Sequence, residues 1–457
     1  MGAPVNAARE VFGHPRGLAY IAFTEAWERF SFYGMQALLM LYMTGYLLHP
    51  GVVEGVAGFA AFRAGVEAVF GGLSQQALAS QIFGLYVGLV YLMPILGGLV
   101  GDRLTGRTRA VLAGASLMAA GHFMMAFEAA FLPALSALIL GSGLLKGNLA
   151  AQVGNLYAKD DRRRDGAYTV YVTAINVGAF VAPLVCGTLG ELYGWHYGFG
   201  AAGVGMLFGI VIYVSGLRHL PAETLASAER RARLARGDGS VLFAILTLLV
   251  ITSLYWTVQA QIWNVYPLWL RDHVDRGLFG LAVPVTWFQS LDSMAVLVFA
   301  PAVIAFWRWQ GRRGTEADDL SKIARGCAWY GASCLLLVAG SALAGAGQVM
   351  LFWPVAFHFV VAVGYLYAAP IGLSLISRAA PPAVVAMMVG AYYIAIFVGG
   401  MLSGWVARFY EPLGPAAFWL LHAAFGLAGA ALIWSLRGWF LRSMRLPSRP
   451  AAAPVTA

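Results

Sequence analysis

Residues 24–34 read TEAWERFSFYG, which places Glu25, Glu28 and Arg29 inside a run that is otherwise apolar, from GLAYIAF before to MQALLMLYM after. On a helix Glu25 and Arg29 share one face, with Phe32 and Gln36 close by and Tyr33 at its edge. They are an i,i+4 pair with the carboxylate N-terminal, the favourable order. Glu28 falls beside Arg29, so two carboxylates share one guanidinium. The trio keeps a residual negative charge, and taking up a proton relieves it where solvent is excluded. Reversible protonation of this kind is what a proton-coupled carrier requires. A purely structural ion network is the weaker reading, because buried ion pairs stabilise less than apolar packing.

Two more charges stand at membrane depth. Lys146, in GSGLLKGN, sits too far along its apolar run to reach water easily, and the spacing is not that of a phosphate loop. Asp292, between WFQSL and MAVLVFAP, is the clearest buried acid of the second half. It can answer Lys146, hold a substrate ammonium or carry a proton. His122 and His358 stand alone on apolar runs and read as structural. Cys186, Cys327 and Cys334 read as packing residues rather than a disulfide framework. With neither metal spacing nor a nucleophile–base pattern, no enzyme and no cofactor are expected; the coupling ion is the proton itself.

The elements that must hold these groups are set by composition. The 457 residues are 60% hydrophobic and 11% charged, against about 25% charged in a soluble domain. Lipid is therefore the solvent for most of the chain. A span needs about 20 apolar residues, and runs of that length fall near 17–48, 78–101, 108–127, 132–157, 166–191, 195–216, 240–270, 284–307, 326–345, 350–377, 383–408 and 414–437. The expected fold class is an all-α membrane protein of twelve spans in two six-helix bundles, 1–216 and 240–440. A cytoplasmic linker at 217–239, partly helical on the membrane surface, joins them, and a disordered tail follows at 441–457. The start, MGAPVNAAREVFGHP, shows no secretory signal.

Lys and Arg set the orientation, because cytoplasmic loops carry the excess. With both termini inside, only Arg63, Arg271, Arg276 and Arg408 lie on the opposite face, and only Arg29 and Lys146 lie inside spans. The net charge of +9 then faces anionic headgroups of an inner membrane, not nucleic acid. The partners expected are the bilayer and a small-molecule substrate, and the carrier is expected to be monomeric.

Paired six-helix bundles around a midplane site are the architecture of the major facilitator superfamily. GGLVGDRLTGRTR, with Gly98, Asp102, Arg103, Gly106 and Arg107, resembles that superfamily's gating-loop signature. The stretch ExxERFSFYG resembles the first-helix motif of the proton-dependent oligopeptide transporter family. The likeness continues through LVYLMPILGGLVGDR, GHFMMAF, GSGLLKGN, YVTAINVGAFVAPLVCG, GWHYGFG, WFQSLDS and APIGLSL, in order along nearly the whole chain. The resemblance implies that Glu25, Glu28 and Arg29 serve proton coupling, that Lys146 contacts substrate, and that Tyr33, Tyr91 and Asn176 line the pocket.

Departures from the family pattern bear on the substrate. Gln36 stands where the family usually has Arg, Ala260 and Tyr365 where it has Glu, Val172 where it has Tyr, and Asp292 where it has Asn. Trp263 and Asn264 replace small residues and are expected to narrow the pocket. The linker is too short for the extra helix pair of many bacterial members. The resemblance implies a symporter importing di- or tripeptides by alternating access. A proton-coupled carrier of another organic solute, such as an organic anion or a modified amino acid, is the first rival, and a ligand sensor that does not transport is the second.

Overall fold

The computed structural model describes residues 10–158, 161, 163–221, 235 and 237–446. Their regular structure is helical, apart from two-residue hairpins pairing Glu10–Val11 with His14–Pro15 and Gly277–Leu278 with Leu281–Ala282. Helices are what an apolar chain forms in lipid, where each backbone N–H and C=O must be satisfied within its own segment. Among the described residues, nine helical segments are long and apolar enough to cross a membrane, and the last of these, Met387–Ser443, holds two helices.

The chain forms two compact units. The first is drawn from Met1–Gly72 and Leu89–Ala228. It contains α1 (Arg16–Tyr42), α2 (Phe59–Phe70), the second part of α3 (Gln75–Val100), α4 (Arg107–Met124), α5 (Phe131–Asn155), α6 (Arg163–Ala182), α7 (Thr188–Tyr193) and α8 (Trp195–Gly216). α1 is the hub, packed along both α6 and α8, while α4 lies against α5 and α8. α1 does not run unbroken to residue 48 as expected; it ends at Tyr42 and passes into a π-helical turn, Met43–Leu47. The short α2 occupies a stretch expected to be loop. A second π turn, Pro183–Gly187, joins α6 to α7, where the proline cannot donate to the helical ladder.

The crossing of α3 and α5 depends on Gly97, because a Cβ there would overlap the backbone carbonyl of Gly143. Asn148 fastens the same crossing by donating to Gly97 O at 2.9 Å. Gly98, the glycine of the expected loop signature, has open space around its Cβ position. The close contact belongs to its neighbour, since that is the face α3 turns toward α5.

The second unit is drawn from Leu73–Gly88 and Glu229–Ala457. It contains the first part of α3 and then α9 (Asp238–Gln261), α10 (Tyr266–His273), α11 (Val285–Arg312), α12 (Asp319–Ala344), α13 (Phe352–Ala379), α14 (Val385–Val406) and α15 (Tyr410–Ser443). α12 packs against α13 and α15, and α9 against α14 and α15. α15 bends at Gly414, whose φ of 74° suits glycine, with Pro415 following. α15 also continues through Ser443, three residues into the segment expected to be unstructured. The remainder of that tail, 447–457, and most of the linker, 222–234 and 236, lie outside the described residues.

Candidate functional site

The first unit gathers its charges on α1. Glu25, Glu28 and Arg29 are 1%, 0% and 7% exposed. Arg29 Nε lies 2.8 Å from Glu25 Oε1 and 2.6 Å from Glu28 Oε2. These are ion pairs without hydrogen-bond alignment, since Arg29 Nε and both oxygens of Glu28 lack a hydrogen-bond partner. Glu25 is held differently, because the Tyr171 hydroxyl donates to its Oε2 at 2.7 Å. Tyr171 comes from α6, which approaches closely because residue 178 is glycine. A Cβ at Gly178 would overlap Ala26 O and lie 2.8 Å from Arg29 Cβ. On the other flank, Ser31 donates to Ala202 O on α8 at 2.7 Å and fixes the rotation of α1.

Lys146 reaches this cluster from α5. Its Nζ lies 3.7 Å from the centre of the Phe32 ring and 5.1 Å from that of Tyr91, and Arg29 Cζ lies 5.6 Å from the same Phe32 ring. The Lys146 ammonium is shielded and makes no hydrogen bond. Tyr33 meets Phe32 edge-on at 5.1 Å between ring centres. Gln36 is buried, with its Oε1 unbonded. The Asn176 amide donates back to Val172 O on its own helix at 2.9 Å. In the expected gating loop, Arg107 Nε pairs with Asp102 Oδ1 at 2.8 Å, while Arg103 is exposed.

The second unit holds a separate polar group. Asp292 lies inside α11, not at a helix end. Its Oδ2 accepts from Gln259 Nε2 at 3.2 Å, and Gln259 Oε1 accepts from the Tyr330 hydroxyl at 2.7 Å. Asp292 Oδ1 is shielded and has no hydrogen-bond partner. Tyr330 stacks on Tyr255 at 5.1 Å, and Tyr365 lies on α13. Trp263 and Asn264 lie in the buried turn between α9 and α10. Asn264 Nδ2 donates to Ser80 O and Ser403 Oγ, both at 3.4 Å, which leaves its Oδ1 unbonded.

Sequence reasoning did not single out Tyr171, Gln259 or Tyr330. A partial signal existed for Tyr171: it precedes Gly178 by two helical turns and so shares the face that α6 presents to α1.

Buried charge on one helix, an ammonium beside it and a multi-pass apolar framework are the features of a membrane carrier. The sequence matches the POT family model over residues 108–230 and 236–420, and the chain belongs to that family. It is 27% identical to the peptide transporter YePEPT of Yersinia enterocolitica, over 93% of this chain and 94% of that one. It is also 27% identical to a di-/tripeptide transporter of Lactococcus lactis subsp. cremoris, over 95% and 97% of the two chains. Among solved structures it resembles the peptide transporter POT in complex with sulfate, with a TM-score of 0.83 and 27% identity over 95% of this chain and 97% of that one. A mutant of POT in complex with alafosfalin gives a TM-score of 0.83 at 28% identity, over 96% and 97% of the two chains.

Proposed function

We propose that this protein is a proton-coupled symporter that imports di- or tripeptides, or peptide-like small molecules, by alternating access. The observation that carries this reading is the contact of Glu25 and Glu28 with the single guanidinium of Arg29, out of reach of water, in a member of the POT family. In the proposed cycle a proton neutralises one of the two carboxylates, substrate binds, and both are released inward. Each proton then contributes roughly 2.3 kcal/mol per 100 mV of membrane potential, plus its concentration term. Tyr33, Gln36, Tyr91, Lys146 and Asn176 are the proposed substrate contacts of the first unit, and Asp292, Tyr365, Trp263 and Asn264 those of the second.

In this reading twelve spans form two six-helix bundles in the inner membrane, with both termini cytoplasmic, and the carrier works as a monomer. Gly98, Asp102, Arg103 and Arg107 belong to the gating loop. The relatives named as peptide transporters support the substrate class. Gln36, Ala260 and Tyr365 favour a second reading, a proton-coupled carrier of a non-peptide organic solute, because a peptide's two ends then lack their usual charged partners.

The test is uptake into liposomes containing the purified protein under an imposed proton gradient. Candidate substrates come from a thermal-shift screen of peptides, amino acids and other organic ions. Accumulation of a di- or tripeptide that collapses with a protonophore is the expected result. Ligand binding without gradient-driven accumulation of any hit would replace the carrier by a sensor.

A further inference from the structure

The two carboxylates on α1 are not equivalent, and what separates them is a residue on another helix. Glu25 has Arg29 Nε at 2.8 Å on Oε1 and the Tyr171 hydroxyl at 2.7 Å on Oε2. Glu28 has Arg29 Nε at 2.6 Å on Oε2, and neither of its oxygens is hydrogen-bonded. A donor on a carboxylate stabilises the ionised form, whereas a carboxylate shielded from water and lacking donors is the one that gains most from a proton. We propose that Tyr171 is a positioning residue for proton coupling: its hydroxyl engages Glu25 and so directs the transported proton to Glu28.

The neighbouring helices leave this assignment intact. The charged and titratable groups acting on the trio are Tyr33 on α1 itself, Lys146 on α5 and Tyr171 on α6. On α8 the inward phenol is Tyr213, already engaged with Gln152 at 2.9 Å, and His196 and Tyr197 stand at that helix's other end. On α4, His122 is fully buried without a partner, and Arg107 and Arg109 lie in the first turn. The remaining described cations of α6, Arg163 and Arg164, are also in its first turn. Lys146 acts on both carboxylates from α5, Glu28 more than Glu25, and donates a hydrogen bond to neither. Tyr171 supplies the hydrogen bond that Glu25 has and Glu28 lacks. It can do so because Gly178 lets α6 settle against Ala26 and Arg29.

This inference rests on the proton-coupled reading above, but it can be tested apart from transport. Infrared difference spectra of the purified protein between acid and alkaline pH report the neutral carboxyl band directly. Recorded in an Asp292→Asn background, which removes the shielded acid of α11, the band that titrates above the range of exposed carboxyls is expected to vanish in Glu28→Gln. In Tyr171→Phe its midpoint is expected to move to higher pH by about one unit, a tenfold gain in proton affinity. It should return toward the wild-type value in Tyr171→Gln, which keeps an N–H donor. The pH profile of substrate counterflow should move with it. A band that survives in Glu28→Gln, or a Tyr171→Phe midpoint that stays in place, overturns the assignment. The Glu28→Gln spectrum decides even if Tyr171→Phe does not fold. If the spectra behave as expected but no solute is accumulated, the transport reading fails and the assignment stands.

Discussion

Lys146 Nζ lies 3.7 Å above the centre of the Phe32 ring and makes no hydrogen bond. An ammonium in that position is held by the negative face of the ring, an attraction of about 2 kcal/mol when desolvated. It remains free to take a carboxylate partner, which a lysine already locked in an ion pair is not. The contact also joins α5 to the helix that carries Glu25, Glu28 and Arg29.

Phe32→Leu keeps an apolar side chain and removes the ring. A double-mutant cycle of Phe32→Leu with Lys146→Met, read by thermal unfolding in detergent, should give a coupling of about 1–2 kcal/mol. Strict additivity would mean that the ring only fills space.

Glu28→Gln should abolish uphill, proton-driven accumulation while leaving some exchange of substrate down its gradient. Uptake and counterflow in liposomes separate the two. Full uphill uptake by the mutant would remove Glu28 from the coupling step.

Asp292→Asn should weaken amine-bearing ligands by about 1.5–3 kcal/mol, the scale of a hydrogen bond to a charged group, and spare analogues without the amine. The motive is the unpartnered Asp292 Oδ1 beside the Gln259 amide. Calorimetric titration with ligands from the screen checks it; equal affinity of mutant and wild type for every one of them would refute the substrate role.

Gly178→Ala should destabilise the protein by about 1–3 kcal/mol, the usual cost of overpacking, because the added Cβ overlaps Ala26 O. The same change is expected to disturb the Tyr171–Glu25 hydrogen bond. A melting temperature equal to wild type, with an unchanged pH profile, would show that α6 has room to give.

How much of this could be read from the residues follows from distance along the chain. Glu25, Glu28 and Arg29 belong to one helix, so i,i+3 and i,i+4 geometry brought them together before any tertiary contact was known. Phe32 was legible on the same grounds. Tyr171 and the Gln259–Tyr330 pair were not, because they meet their partners across helix crossings that periodicity does not specify. The apolar runs located the long helices, but not α2, the break between α9 and α10, or the π turns at Met43–Leu47 and Pro183–Gly187, since a π turn changes backbone winding without changing hydropathy. Gly97 was not legible for a similar reason: only packing shows which glycine a neighbouring helix requires.

α1, with Glu25, Glu28, Arg29 and Gln36 along its length, is not among the nine segments apolar enough to qualify as a membrane span. Among the described helices it is the first long one along the chain. An ionisable residue at the centre of a span costs about 2.5–3.5 kcal/mol on insertion scales, so α1 on its own is a poor substrate for lateral release from the translocon. Its burial depends on α6 and α8, which are made later and cover its charged and aromatic faces. Nascent α1 is therefore expected to wait for these partners, and a chain truncated before α6 should stay with the insertion machinery or its chaperones.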